Sequence, residues 1–370
     1  MHRKSLTTPI VGLVILFVLV GILFVYDVSI VEAATQFGDK LYFLRQQVMW
    51  SIVGLMGMLV AAKIPTRFWF KMAPFFFSFS FVLLLAVLIP HIGTSVGGAR
   101  RWIRLAGFTI QPSELMKLAL TMYLSVWLSK SRRFLSFLLL VAGIFITVLI
   151  EPDLGTALIL AITAGSMYFL SGKPIRHFIW LFATALFSLL IIIVVAPYRL
   201  DRLKTYLDPE SDPLGRSYHI HQITLALGNG GLFGRGLGKS LQKYRYIPEA
   251  TTDSIFAVIA EEIGFLGCGI IIIGYITLFR RMSEFVSNLD GAQEILLGGG
   301  IVAWICAQTI VNLGSVFALI PLTGVPLPFI SYGGSALATE LFGIGILLGL
   351  KNEKRIYNGR APDSRARRHR

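Results

Sequence analysis

Charge is scarce in this sequence. Of its 370 residues, 15% are Asp, Glu, Lys or Arg and 55% are hydrophobic, with a mean hydropathy of +0.72. That excludes a soluble domain, because a single core of this length cannot hide so much apolar surface. Cysteine is scarcer still. Cys268 and Cys306 both lie in apolar runs, where a thiol behaves as a small hydrophobe, so neither a disulfide framework nor a zinc site is expected. The sequence shows no internal repeat of fixed period, which sets solenoids aside, and no low-complexity tract apart from a basic tail.

What is abundant is apolar sequence in runs of about 17 to 25 residues, the length that crosses a bilayer. The pattern predicts an all-α polytopic membrane protein of about ten transmembrane helices with one long ordered extracytoplasmic loop. The spans run over Pro9 to Tyr26, Gln47 to Ala62, Met72 to Ile89, Ser113 to Leu128 and Phe134 to Ile150. They continue over Gly155 to Leu170, Phe178 to Ala196, Ser254 to Phe279, Glu294 to Leu319 and Gly333 to Leu350. Residues 1–350 form a single transmembrane domain and 351–370 a basic cytoplasmic tail. The first run resembles a cleavable signal, but it is at the long end for one and reads as a first span.

Basic residues total 34 against 20 acidic ones, and they flank the spans. Arg3, Lys4, Lys63, Arg67, Lys71, Lys130, Arg132, Arg133, Lys173, Arg176, Arg280, Arg281 and the tail share one face if the N-terminus is cytoplasmic. The charge therefore reports topology and contact with anionic membrane lipid, not nucleic acid. The opposite face receives the long loop Pro197 to Asp253, with its tyrosines and Asp-Pro turns, and Tyr218 to Leu227 is expected as a short amphipathic surface helix. Arg45, Arg100, Arg101, Arg104, Arg235, Lys239, Lys243 and Arg245 also map there, against the usual bias. Salt bridging within loops is one reading and an anionic ligand such as a lipid phosphate the other.

Several polar groups need partners or work to do. Gly234-Arg-Gly-Leu-Gly-Lys-Ser240 lacks the first glycine of a phosphate loop, since Phe233 holds that place, and its glycines read as permitting tight turns. Glu114 and Lys117, three apart on one helix, form either an internal salt bridge or a substrate contact. Asp153 in Glu151-Pro-Asp-Leu-Gly-Thr156 reads as a helix cap, or as a metal or sugar contact. Glu261 and Glu262 lie deep in an apolar run, and at least one is expected to bond across the bundle. Pro321-Leu-Thr-Gly-Val-Pro-Leu-Pro-Phe-Ile-Ser-Tyr-Gly-Gly-Ser335 is irregular backbone at membrane depth, expected to be a re-entrant turn buried in protein or lining a cavity. Asp253, where the long loop enters a span, suits either a helix cap or a catalytic carboxylate near water yet partly desolvated.

Taken together, these segments resemble the SEDS family of peptidoglycan polymerases, named for shape, elongation, division and sporulation. The matching pieces are Gly98-Ala-Arg-Arg-Trp-Ile103, Gln111-Pro-Ser-Glu114 with Lys117, Glu151 to Thr156, Leu207 to Pro213, Ile247-Pro-Glu249, Thr252-Asp253, Phe256-Ala257, Glu261-Glu-Ile-Gly264 and Pro326 to Ser335. The family commonly reads His-Thr-Asp-Phe around its aspartate, whereas here Thr251 and Ser254 replace the histidine and phenylalanine. The pieces around Gly236 to Lys243 and Phe43 to Gln46 lean slightly to the division branch.

The resemblance implies an inverting glycosyltransferase that joins lipid II units on the outer face of the bacterial inner membrane, with Asp253 as general base. It also implies a substrate site drawn from Arg45, Arg101, Trp102, Gln111, Glu114, Lys117, Lys243, Pro248 and Ser331, with the cations on the pyrophosphate leaving group. A class B penicillin-binding protein is the implied partner. No cofactor is implied with certainty; a divalent cation near Asp153, Asp253 and Glu114 is left open. Two other functions fit the same pattern: a lipid II flippase, and a non-catalytic scaffold for a transpeptidase.

Overall fold

Runs of apolar residues at bilayer length, bounded by Gly, Pro and charged turns, become helices because only a helix satisfies its own backbone in lipid. The computed structural model of the protein describes residues 4–96, 99–105, 108–130, 133–177, 179–180, 183, 206, 208, 217–241, 247 and 249–350. Its helices are α1 (Lys4–Phe37), α2 (Tyr42–Lys63), α3 (Thr66–Ala86), α4 (Pro112–Lys130), α5 (Phe134–Ile150) and α6 (Leu154–Leu170). Then come α7 (Tyr218–Gly230), which lies within the expected long loop, α8 (Ile255–Ser287), α9 (Ala292–Val316) and α10 (Gly334–Gly349). Every expected span falls on one of these helices except 178–196, which lies largely outside the described residues, as does the tail 351–370.

Length and hydropathy suit α1, α2, α3, α8 and α9 to crossing a membrane, while α5, α6 and α10 are shorter and apolar. Leu16, Leu19 and Leu23 of α1, Ile52, Met56 and Leu59 of α2, and Phe75, Phe79 and Val82 of α3 are exposed at helical spacing. Stripes of this kind are lipid-facing surface. The exception is α4, which packs against α3, α6 and α9 and buries Ser113, Glu114, Lys117, Thr121 and Ser125. Surrounded by other helices, it can carry polar groups that lipid would penalise.

Two features depart from a plain bundle. The segment expected as a loop between α3 and α4 forms an antiparallel sheet of β1 (Gly93–Val96), β2 (Ala99–Leu105) and β3 (Phe108–Ile110), in the order β1-β2-β3. Gly93 pairs with Ile103 and Ile103 with Ile110. The expectation of a helical membrane domain holds, and the sheet is an addition at one end of it.

The second departure is in α8, which breaks its helical path at Gly264 (φ 69°). There the loop after α7 crosses it. Arg235 and Gly236 N–H groups donate to the Glu261 and Glu262 carbonyls at 3.0 Å each, and Phe265 N–H donates to the Gly231 carbonyl at 2.9 Å. The loop thus takes up backbone groups that the interrupted helix leaves free. A Cβ on Gly264 would stand 2.2 Å from Gly234 N. The glycine run expected to permit tight turns also permits two backbones to touch.

Candidate active site at one end of the bundle

Hydrogen bonds draw the expected outer loops together at one end of the bundle, and Asp253 lies at their meeting point. It closes a tight turn begun by Glu249, which adopts a left-handed φ of 51°. Thr252 and Ser254 N–H groups donate to the Glu249 carbonyl at 3.1 and 3.4 Å. A non-glycine residue held in that region stores strain, which recurs at functional sites. From the other side, the Asn312 amide of α9 donates to the Asp253 carbonyl and to the Val325 carbonyl, both at 2.8 Å. Tyr332 N–H donates to the Thr251 carbonyl at 2.9 Å.

The capping alternative for Asp253 is not taken. Ser254 is the N-cap of α8, and it makes no side-chain cap bond. Among the described residues, the hydrogen bonds to the Asp253 carboxylate come from the Thr252 and Ser254 hydroxyls, both to Oδ1 at a long 3.4 Å. Oδ2 lies on the side of Gly324, where a Cβ would be 4.0 Å away. The residue is 8% exposed. Burial first, then the charge of Glu249, push its carboxyl up to about 7, against weak opposition from hydrogen bonds to the turn and the two hydroxyls. A carboxylate poised near neutral pH with one oxygen uncommitted is suited to accept a proton from a substrate hydroxyl.

A second cluster lies deeper. The Lys117 ammonium, fully buried, donates to Glu114 Oε1 at 2.8 Å and to Gln308 Oε1 at 2.6 Å, and forms an ion pair with Glu114 Oε2 at 2.8 Å. It also sits 5.7 Å from the Trp304 ring centroid. Gln308 donates on to Glu340 Oε1 at 2.7 Å and to the Pro326 carbonyl at 3.1 Å. Glu340 Oε2 accepts from Phe329 N–H at 3.0 Å, at a residue whose φ of 65° is again left-handed. The internal salt bridge is therefore formed, and it anchors the irregular segment 320–333 to α4, α9 and α10.

The third cluster joins the sheet to the start of α6. Arg101 Nε donates to the Glu151 carbonyl at 3.1 Å, and a terminal nitrogen of its guanidinium donates to the Pro152 carbonyl. Asp153 caps α6, accepting from Thr156 N–H at 3.1 Å, and takes Gln111 Nε2 at 3.2 Å. Glu151 is fully buried, and among the described residues neither of its carboxyl oxygens has a hydrogen-bond partner. Burial, then the charge of Asp153, raise its pKa to about 9 despite Arg101. At neutral pH the group is thus an uncharged acid.

Of the remaining expected site residues, Arg45 is exposed and pairs with Asp39 at 3.0 Å. It heads a groove lined by Leu44, Val48, Met49, Ile52 and Val53. Trp102 is half-buried in β2, its carbonyl accepting from the Thr94 hydroxyl at 3.0 Å. Ser331 is buried and accepts from Leu327 N–H at 2.9 Å, inside the irregular segment. Lys243 and Pro248 lie outside the described residues. Asp153, Asp253 and Glu114 each belong to a different network, and among the described residues no group of three or more His, Cys, Asp or Glu gathers to hold a metal. These three carboxylates do not fit a shared cation.

Glu261 and Glu262 serve the loop that crosses α8. Glu261 Oε2 accepts from the Ser240 hydroxyl, and its Oε1 lies 3.5 Å from Arg235. Glu262 Oε1 accepts from Ser240 N–H at 3.2 Å, so both carboxylates bond the loop that crosses α8. Sequence reasoning passed over Gln308, Asn312, Glu340 and His219. The first three carried a usable signal, being polar side chains inside apolar spans.

These features define a class: a multi-pass membrane protein with a partly desolvated carboxylate at the polar end of its bundle, braced by irregular backbone. The chain belongs to the FtsW/RodA/SpoVE family, whose model, described as "Cell cycle protein", matches residues 7–356. It is similar to stage V sporulation protein E of Bacillus subtilis, 36% identical over 94% of this chain and 98% of that protein. It is also similar to a protein of Trichlorobacter lovleyi named "Probable peptidoglycan glycosyltransferase FtsW", 39% identical over 89% of each.

Among solved structures it resembles a chain of a peptidoglycan synthase complex, described for its coordination of polymerization and crosslinking. The TM-score is 0.78 at 28% identity, covering 93% of this chain and 97% of that one. The rod shape determining protein RodA of Thermus thermophilus matches with a TM-score of 0.68 at 28% identity, over 93% and 96%. The FtsW and SpoVE names give weak support to the lean toward the division branch.

Proposed function

We propose that this chain is a peptidoglycan glycosyltransferase that polymerises lipid II into glycan strands on the outer face of the bacterial inner membrane, serving cell division or rod-shape elongation. Both termini are then cytoplasmic, which puts the basic turns Lys63 to Lys71 and Arg280-Arg281 inside. The single observation that carries the reading is the Asp253 carboxylate, raised to about 7 with Oδ2 left open toward Gly324.

In the reaction, Asp253 takes the proton of the acceptor sugar hydroxyl while that oxygen attacks the anomeric carbon of the donor strand. The bond from that carbon to the pyrophosphate breaks, with inversion, and undecaprenyl pyrophosphate leaves. Arg45 is the cation best placed for the leaving group. Its partner Asp39 is at the surface and exchangeable, and the apolar groove below it suits a prenyl chain. Arg101 and Lys117 are committed to internal partners and hold the frame, so a contact with substrate requires those partners to yield. The synthase complex found among the similar structures supports a partnership with a class B penicillin-binding protein.

The test is a gel assay for polymer formed from lipid II by the purified chain in detergent with such a partner. Ladders of glycan are expected. Movement of lipid II across sealed vesicles with no new glycosidic bond would instead make the protein a transporter. Normal partner binding with no polymer under any condition would make it a scaffold.

A further inference from the structure

Ser254 is a preferred capping residue at a capping position, yet its hydroxyl does not cap α8. It faces two other groups: Asp253 Oδ1 at 3.4 Å and the imidazole Nε2 of His219 at 2.8 Å. His219 comes from the first turn of α7, 35 residues earlier in the chain. The proton inventory of this trio has two solutions, set by the imidazole tautomer. Ser254 has one hydroxyl hydrogen, which goes either to Asp253 Oδ1 or to His219 Nε2. In the first arrangement Ser254 Oγ accepts from His219, and the imidazole carries its proton on Nε2.

The helix that carries the imidazole packs on α8. Helix α7 buries Ile223, Ala226 and Gly230, and a Cβ on Gly230 would stand 2.1 Å from the Ala260 carbonyl oxygen. Its C-terminal end therefore lies directly on the backbone of α8. The contact depends on the serine at 254. A phenylalanine at 254 would have no hydroxyl to offer, and the histidine commonly found at 251 is here a threonine.

We propose that His219 is a positioning residue for Asp253: by donating to Ser254 Oγ it fixes the hydroxyl rotor toward Oδ1 and so holds the carboxylate with Oδ2 facing the acceptor hydroxyl. A hydroxyl left to rotate would point elsewhere for part of the time. The long contact to Oδ1 would then restrain the carboxylate less, and fewer bound complexes would have the oxygen in reach of the proton. This inference rests on the polymerase reading and adds to it a residue outside the aspartate's own tight turn.

The test is a set of single and double variants of the full chain, assayed for glycan polymerisation with its transpeptidase partner over a range of lipid II concentrations. His219→Ala is expected to lower kcat about tenfold with KM unchanged, the size of one lost hydrogen bond. Ser254→Ala is expected to do the same, and the double variant to do no worse than either, because the two side chains act through one contact. His219→Gln, which restores an N–H near the hydroxyl, is expected to recover most of the rate. Thermal unfolding of each variant separates loss of rate from loss of fold. Wild-type kcat in His219→Ala, or losses that multiply in the double variant, would overturn the proposal while Asp253→Asn stays inactive. An active Asp253→Asn would overturn the polymerase mechanism itself.

Discussion

Asp253 and Glu114 are both buried carboxylates braced by the same irregular segment, residues 320–333, and their surroundings are opposite. Glu114 is sealed against Lys117, with Gln308 and Glu340 completing a compensated network. Among the described residues Asp253 has no cation as a bonding partner; two long hydroxyl contacts reach one oxygen, and a like charge on Glu249 acts on it. A carboxylate whose charge is already neutralised holds structure. One whose charge is left poorly compensated is ready to take a proton, and its fold bears a cost for that readiness.

The comparison breaks first at Lys117. Lys117→Ala leaves Glu114 charged and buried and is expected to destabilise the fold by about 3–5 kcal/mol, read by thermal unfolding in detergent. Replacing the pair together, Glu114→Leu with Lys117→Met, is expected to recover most of that. Loss of polymerisation with stability intact would move the pair out of the frame and into the substrate site.

Next in size is Gly264→Ala, which puts a side chain at a positive φ against Gly234 N. A loss of about 1–3 kcal/mol is expected from strain alone. Unchanged stability would mean that the loop does not cross α8 so closely.

The pH dependence sharpens the other side of the contrast. The base works unprotonated, so polymerisation should rise about tenfold per pH unit up to a midpoint near the Asp253 value and then level off. A flat profile from pH 5 to 8, on the order of three units, would contradict this assignment. Stability runs the other way. The carboxyl ionises at 3.8 in its ordinary setting and at about 7 in the folded chain. Between those values the folded state holds a proton that the unfolded one has lost, so stability falls as pH rises through that window and stays lower above it. Asp253→Asn, which cannot ionise, is expected to melt higher than wild type at a pH above that window. The smallest effect on stability belongs to Arg45→Ala. Its exposed pair with Asp39 contributes at most about 1 kcal/mol, and the expected change is instead a higher KM for lipid II.

The helical layout was legible because lipid demands apolar runs of a set length, and Glu114 with Lys117 was legible because helical spacing alone puts them together. The sheet was not, since Ala99 to Leu105 carries three arginines and no clean alternation. The segment 321–335 could be recognised as irregular backbone that protein must surround. That its carbonyls at Val325 and Pro326 receive Asn312 and Gln308 could not, because those partners come from another helix. His219 was hidden for the same reason: its contact with Ser254 depends on how α7 lies across α8. For Asp253, spacing left capping and catalysis both standing, and the uncapped start of α8 favours the second.

The most direct measurement is the yield of glycan from lipid II by Asp253→Asn beside wild type, at equal amounts of folded protein. The account predicts product reduced by about 100-fold or more, from a protein at least as stable as the original at neutral pH. Polymer formed by Asp253→Asn at the wild-type rate would contradict it.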